Sequence, residues 1–350
     1  MRKYILAFLL LFSAVASAQD PHYTQFFNSP LTHNPAMTGL INGAVRVGAI
    51  YRNQWFSGVN YTSGTGFFNS PYQTPSVYID APISVFGKDA VGIGGAFLYD
   101  RAGAGSFGTF QGVLSASYIK ALGKANNHQL SAGFQVGYTQ LRLTQDDLRF
   151  ANQHEQNNQF NGSIASNVGL QPNVGYVNAN VGLLYYGRFS PRVSMYFGGA
   201  FFNAATMKYN LEAANAKRTL YYRYNAQLGF DVKFGKFHIL PSILFMQQQK
   251  ADQLNAGLGF GFDFDLKNSM TLGIYTRSNN LATKDRQAES VIPYLGVDLN
   301  GFKIAASYDV TLTGFKQAGS GVGALEISLI YIIPSKAAGE LTNMLFCPRF

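Results

Sequence analysis

Cysteine is almost missing from this chain of 350 residues: Cys347 stands alone, which excludes an internal disulfide framework. Charged residues are scarce, at 13% against the ~25% usual for soluble domains. Long apolar runs are missing too. Past Val15 no stretch reaches the roughly 18 residues of a transmembrane helix. The five histidines (His22, His33, His128, His154 and His238) show no metal-ligand spacing. No Gly-x-Ser-x-Gly elbow or phosphate-binding loop occurs, and Gly103-Ala104-Gly105-Ser106 reads as a tight loop. No catalytic, cofactor-binding or metal residue is expected, and the chain reads as non-enzymatic. The net charge is +9, yet the basic residues are scattered and form no stripe, which argues against a nucleic-acid partner.

What is present is a rhythm of two. In Asp252–Leu266, the residues Leu254, Ala256, Leu258, Phe260, Phe262, Phe264 and Leu266 share one face. Asn255, Gly257, Gly259, Gly261, Asp263 and Asp265 share the other. That period describes a strand between an apolar phase and a wet one. Segments of about ten such residues, repeated along a secreted chain, predict a transmembrane β-barrel in the outer membrane. Secretion is expected from residues 1–18: Arg2 and Lys3, an apolar stretch to Val15, and the cleavage site Ala16-Ser17-Ala18 before Gln19. Aromatics reach 15%, with 21 Tyr and 29 Phe against one Trp, which suits interfacial girdles.

The pattern predicts fourteen antiparallel strands, at 44–52, 73–85, 90–101, 107–121, 128–142, 173–188, 192–204, 219–233, 237–248, 253–266, 269–278, 289–299, 302–313 and 320–332. Every second connection is short: 86–89, 123–127, 189–191, 234–236, 267–268 and Asn300-Gly301. The last is a strong type I′ signal, since both of its central residues need positive φ. The others are mostly longer, above all Asn53–Tyr72 and Thr144–Pro172. Short turns on one side and long loops on the other put both termini in the periplasm. Leu130, Ala132, Phe134, Val136 and Tyr138 are expected to face lipid, as are Tyr222, Tyr224, Ala226, Leu228, Phe230 and Val232. Ser131, Gln135, Thr139, Tyr221, Asn225 and Gln227 are expected to face in.

Eight strands fill with side chains and sixteen leave a channel, so fourteen predicts a narrow pore or a plugged cavity. Residues 19–43, the loop 144–171 and the tail 334–350 are candidate plugs. Arg223, Asp231, Asp263, Asp265, Lys303, Asp309 and Glu326 are expected to point inward. Their signs nearly balance, which favours structural ion pairs over a permeation path. The expected divisions are a signal peptide (1–18), a periplasmic or plug-like segment (19–43), the barrel (44–333) and a periplasmic tail (334–350).

The termini carry more. Asp20-Pro21-His22-Tyr23-Thr24-Gln25-Phe26, followed by Pro30 and Asn34-Pro35-Ala36-Met37-Thr38-Gly39, resembles the opening of the PorP/SprF family. Tyr51-Arg52-Asn53-Gln54-Trp55, Ser307-Tyr308-Asp309 and the terminus Cys347-Pro348-Arg349-Phe350 are also similar to that family. The resemblance implies an outer-membrane component of the type IX secretion system. Such a protein helps secrete or anchor particular surface proteins of the adhesin or gliding type. Its implied partners are a secreted substrate and periplasmic ring or peptidoglycan-binding lipoprotein components, beside the lipid of the membrane. The motif residues are then structural or interaction elements. Fourteen strands and a folded-back N-terminus also allow another reading, a plugged channel that takes up hydrophobic small molecules.

Overall fold

The computed structural model of the protein describes residues 22–54, 72–86, 88–102, 107–123, 127–143, 153, 161, 163–164, 173–205, 208–209, 218–281, 286–312 and 323–335. Fourteen antiparallel strands form one closed barrel. They are β1 (Val45–Gln54), β2 (Tyr72–Phe86), β3 (Asp89–Ala102), β4 (Phe107–Leu122), β5 (His128–Arg142), β6 (Asn173–Ser190) and β7 (Val193–Phe202). The second half holds β8 (Arg223–Phe234), β9 (Phe237–Gln248), β10 (Ala251–Asp263), β11 (Asn268–Leu281), β12 (Gln287–Leu299), β13 (Phe302–Thr311) and β14 (Gly323–Ile333). Each strand pairs with its sequence neighbours, and β14 returns to β1 with Arg52 opposite Glu326. Closure leaves no edge, so every ladder group in the wall is satisfied without water.

The two faces follow the expected alternation. On β5, Leu130, Ala132, Phe134, Val136 and Tyr138 are exposed on the outside, while Gln129, Ser131, Gln135 and Thr139 are buried within. On β10, Gln253 and Asn255 are buried and Phe260 lies outside. On β14, Glu326 and Ser328 are buried and Ile327 and Leu329 are exposed. A membrane barrel thus has its apolar surface outward and its polar side chains in the lumen.

The junction of β7 and β8 departs from the sequence expectation. β7 ends at Phe202 because Asn203 takes φ 60, and β8 begins only at Arg223. Between them, Asn203 Nδ2 donates to the Tyr221 carbonyl at 3.2 Å, which replaces a ladder bond. Tyr221, expected inside, is therefore 51% exposed before the strand starts. Arg218–Thr219 instead pairs with Lys208–Tyr209 in a separate two-stranded ladder. The expected short turns are present, with β8 and β9 joined by Gly235-Lys236 and β12 and β13 by Asn300-Gly301, but on the other side β9 and β10 are joined by two residues only, Gln249-Lys250. Asn300 (φ 52) and Gly301 (φ 92) both take the left-handed region that a type I′ turn requires.

Candidate functional site

The lumen is filled by the chain that precedes β1. From Tyr23 to Ile41 every residue except Thr32 is buried. The segment is too broken for a strand and forms three tight turns. Phe26–Asn28 is a 3₁₀ turn, Pro30–His33 is a single α turn (α1), and Pro35–Met37 is another 3₁₀ turn. Pro30 and Pro35 stand at first helical positions, where the missing N–H costs nothing. The Asn34 side chain caps the last turn by accepting from Ala36 N at 2.9 Å.

Packing fixes the segment at four places, two of them large. Phe26 and Phe27 sit among Leu244, Met246, Tyr275, Ile292, Tyr294 and Ala305, the inward apolar residues of β9 and β11–β13. Phe27 meets the Tyr294 ring edge-on, at 5.2 Å between centroids. Ala36, Met37 and Leu40 pack against Ala90, Ile119, Leu184, Tyr186 and Tyr196. Burying a Phe or Met side chain is worth about 1.5–3 kcal/mol, so these inward apolar residues mark where the segment touches the wall.

A segment without a ladder must find other partners for its backbone. Glu326 accepts from two successive amides, Thr24 N at 2.9 Å and Gln25 N at 2.6 Å. Gln25 Nε2 donates to Ser307 Oγ and to the Glu326 carbonyl, each at 3.0 Å. The three carbonyls at the end of α1 each receive a wall donor. Gln135 Nε2 reaches Leu31 O at 3.1 Å, Arg223 Nη2 reaches Thr32 O at 3.2 Å, and Asn225 Nδ2 reaches His33 O at 2.9 Å. Ser131 and Ser117 hydroxyls donate to the Ala36 and Thr38 carbonyls, each at 2.6 Å. Burial lowers the His33 imidazole to about 4, so it sits neutral under Arg223.

The motif Asn34-Pro35-Ala36-Met37-Thr38-Gly39 lies directly on the wall. A Cβ at Gly133 would stand 2.2 Å from the Pro35 carbonyl carbon, so only glycine lets the segment approach so closely. Gly39 takes φ +70, and its N–H donates to Asp80 Oδ2 at 2.7 Å. Asp80 also receives Arg46 on both oxygens, at 2.9 and 2.8 Å.

At the other end of the segment the charges gather. Arg52 donates to Glu326 Oε2 at 3.0 Å and to Asp309 Oδ2 at 2.7 Å. Arg277 donates to Asp309 Oδ2 at 2.8 Å and to Glu289 Oε2 at 2.9 Å. Thr24 Oγ1 stands at their centre. It accepts from Arg52 (2.7 Å) and Arg277 (3.0 Å) and donates to Asp309 (3.0 Å). These buried charges are paired with one another and with Thr24 of the segment. A smaller cluster joins the inward faces of β8–β10: His238 Nδ1 lies 2.6 Å from Asp231, its Nε2 lies 3.0 Å from Asp263, and Lys233 reaches Asp263 at 3.2 Å.

Of the residues singled out in the sequence, Gln25, Phe26, Pro30, Asn34, Pro35, Gly39 and Arg52 meet inside the lumen, with Asp309, Glu326 and Arg223 around them. Lys303 approaches the Phe27 ring at 6.0 Å. Tyr51 faces outward and Gln54 ends β1. Asp265 is the exception among the charges. It lies past the end of β10 in an exposed turn, where it accepts from Lys267 N (2.8 Å) and Asn268 N (2.9 Å), and it does not line the lumen. The alternation of Phe264 and Leu266 beyond the strand end imitates a strand and misplaces it. Asp20, Pro21, Trp55, Cys347, Pro348, Arg349 and Phe350 lie outside the described residues, as do residues 1–18. Arg46, Asp80, Arg277 and Glu289 escaped the sequence reading. Arg46 and Asp80 share the inward parity of β1 and β2, and Arg277 stands two residues after the inward Tyr275.

A model of the family described as type IX secretion system membrane protein PorP/SprF matches residues 15–331. No curated protein matches the chain. Among solved structures, a Pseudomonas aeruginosa FadL homologue is similar at 12% identity with a TM-score of 0.48, covering 87% of this chain and 94% of its own. The Pseudomonas putida toluene transporter TodX is similar at 12% identity with a TM-score of 0.46, covering 87% and 92%. CdiB from Acinetobacter baumannii is similar at 8% identity with a TM-score of 0.43, covering 82% and 60%.

Proposed function

Because the chain belongs to the PorP/SprF family of type IX secretion system membrane proteins, we propose that it helps secrete or anchor particular surface proteins, of the adhesin or gliding type, as a plugged dock and not as a conduit. The observation that carries this reading is the filled lumen. An N-terminal segment bound by paired charges, capped carbonyls and packed aromatics occupies the lumen that a polypeptide would have to cross. The client then docks on the loops 53–72 and 144–171, while the short-turn side and both termini face the periplasm. There Asp20, Pro21 and the terminus Cys347-Pro348-Arg349-Phe350 meet ring or peptidoglycan-binding lipoprotein components. The signal peptide is removed near Ala18/Gln19, and the mature divisions are the segment 19–43, the barrel 44–333 and the tail 334–350. No catalytic step is assigned to any residue.

Uptake of hydrophobic molecules requires space that the plug occupies. One lumen cavity, beside Leu31 and Phe202, measures ≈ 40 Å³. A dry cavity that admits benzene is about 150 Å³. The test is to tag the protein, crosslink intact cells, purify it from outer membranes and identify its companions by mass spectrometry. Recovery of a large secreted protein with periplasmic ring or lipoprotein components supports the dock. Recovery of the barrel alone, together with an unchanged surface proteome in a deletion strain, refutes it.

A further inference from the structure

The short-turn rim repeats one small pattern that the dock does not use. Phe189 is followed at three residues by Arg192, Phe234 at two by Lys236, and Phe264 at three by Lys267. Phe86 is followed at two by Lys88 in the same way. Three of these sit on successive hairpins, β6–β7, β8–β9 and β10–β11, so they form one arc of the rim. Strands are ~4.8 Å apart, which spaces neighbouring hairpins by roughly 10 Å, about the width of one phospholipid.

In the structure Phe189, Phe234 and Phe264 point out of the barrel. Phe189, Phe234, Phe237 and Phe264 are each about half exposed, and Leu266, at the tip of the β10–β11 turn, is fully so. Arg192, Lys236 and Lys267 are exposed beyond them. Lys236 Nζ donates to the Phe264 carbonyl at 3.1 Å, which ties two neighbouring turns together. Among the described residues the one acid on these turns is Asp265. Its carboxylate is committed to its own turn, accepting from Lys267 N, Asn268 N and Asn268 Nδ2. The aromatic girdle changes character across the barrel. Exposed rings at the long-loop rim include Tyr51, Tyr99, Tyr138, Tyr221, Tyr222 and Tyr224, whereas phenylalanine dominates the short-turn rim.

A phenyl ring anchored beside the acyl chains, with a cation two or three residues further out, places positive charge at the level of lipid phosphates. We propose that the arc Arg192–Lys236–Lys267 is a phosphate-binding collar for anionic phospholipid in the leaflet around the short turns. It selects phosphatidylglycerol-type headgroups over zwitterionic ones and fixes the depth of that rim.

The test uses the full-length protein, reconstituted in vesicles of equal parts phosphatidylglycerol and phosphatidylcholine. It is then extracted gently and weighed with its retained lipids by native mass spectrometry. The wild type is expected to retain phosphatidylglycerol over phosphatidylcholine on the order of tenfold or more, since each cation near a surface contributes to anionic-lipid attraction. The triple variant Arg192→Gln, Lys236→Gln, Lys267→Gln is expected to lose that preference while still showing the heat-dependent gel shift of a folded barrel. Arg142→Gln, at the opposite rim, is expected to keep it. No preference in the wild type overturns the collar, and so does a preference that survives in the triple variant. In parallel vesicles that also carry lipid A, stronger retention of lipid A than of phosphatidylglycerol, lost in the triple variant, also overturns it, because the arc then belongs to the glycolipid leaflet.

Discussion

Replacing Glu326 by Gln removes one charge from the point where the N-terminal segment meets the wall. Glu326 is fully buried and accepts three hydrogen bonds, from Thr24 N (2.9 Å), Gln25 N (2.6 Å) and Arg52 Nη1 (3.0 Å). The glutamine keeps one oxygen and turns its NH₂ towards a donor. The variant therefore loses a charge-assisted bond, about 1.5–3 kcal/mol, and leaves a buried donor unmet, about 1–3 kcal/mol. The total of ~2.5–6 kcal/mol brackets the ~3–5 kcal/mol usual for breaking a buried ion pair from one side. At ~1.4 kcal/mol per decade, opening of the segment should rise roughly 100- to 1,000-fold or more. Hydrogen exchange with peptide resolution reads this directly. Residues 22–29 should lose protection, while strands such as β5, whose ladder does not touch Glu326, stay protected. The double variant Arg52→Met, Glu326→Gln should cost less than the sum of the two singles, because each single already loses the 3.0 Å contact between Arg52 and Glu326. If Thr24 and Gln25 amides exchange in Glu326→Gln as they do in the wild type, the carboxylate does not hold the segment and the reasoning fails.

Further predictions concern other parts of the molecule. Gly39→Ala meets both a left-handed φ and a Cβ 2.5 Å from Gly92 Cα, whereas Gly123→Ala meets φ +78 with nothing within 4 Å. Gly123→Ala should cost about 1–2 kcal/mol and Gly39→Ala clearly more, and equal shifts in the temperature of barrel unfolding on gels would remove the steric argument. Leu114→Arg, on the outer face in mid-β4, should cost about 2–4 kcal/mol, against about 0.5–1.5 kcal/mol for losing the Ser115 hydroxyl bond to Thr38 in the inward Ser115→Ala; similar assembly yields for the two would mean the faces are misassigned. His33 is held neutral, with its folded value lowered to about 4 from 6.5. Its contribution is therefore complete above pH 6.5 and lost as pH falls towards 4, so the thermal gap between wild type and His33→Gln should narrow from pH 7 to pH 4.5, and a widening gap would contradict the buried neutral imidazole.

The barrel is legible in the sequence because one physical contrast, apolar outside and polar inside, is written into every strand with a period of two. Where a residue left that contrast, the reading slipped. Asn203 ends β7 through its own backbone angle, and Asp265 sits among turn anchors that happen to alternate. The site is only half legible. Asp309 and Glu326 announce themselves as charges on an inward face, and the proline-rich opening announces a fold-back. Their partners do not. Arg277 meets Asp309 from two strands away, and Arg46 meets Asp80 through the register of β1 on β2. Such pairings depend on strand register and on where the segment lies, neither of which local periodicity encodes.

The order in which the chain is made gives the contacts of Glu326 a kinetic meaning. Thr24 is synthesised well before its carboxylate partner, which lies 302 residues further on. The last strand supplies both the hydrogen-bond partner of β1 and the receptor for the segment before it. Sealing the wall and seating its contents therefore become one late event, with a large loop-closure entropy to overcome. A chain stopped before β14 has neither. Quality control that reads an open seam reads, at the same moment, an unfilled lumen.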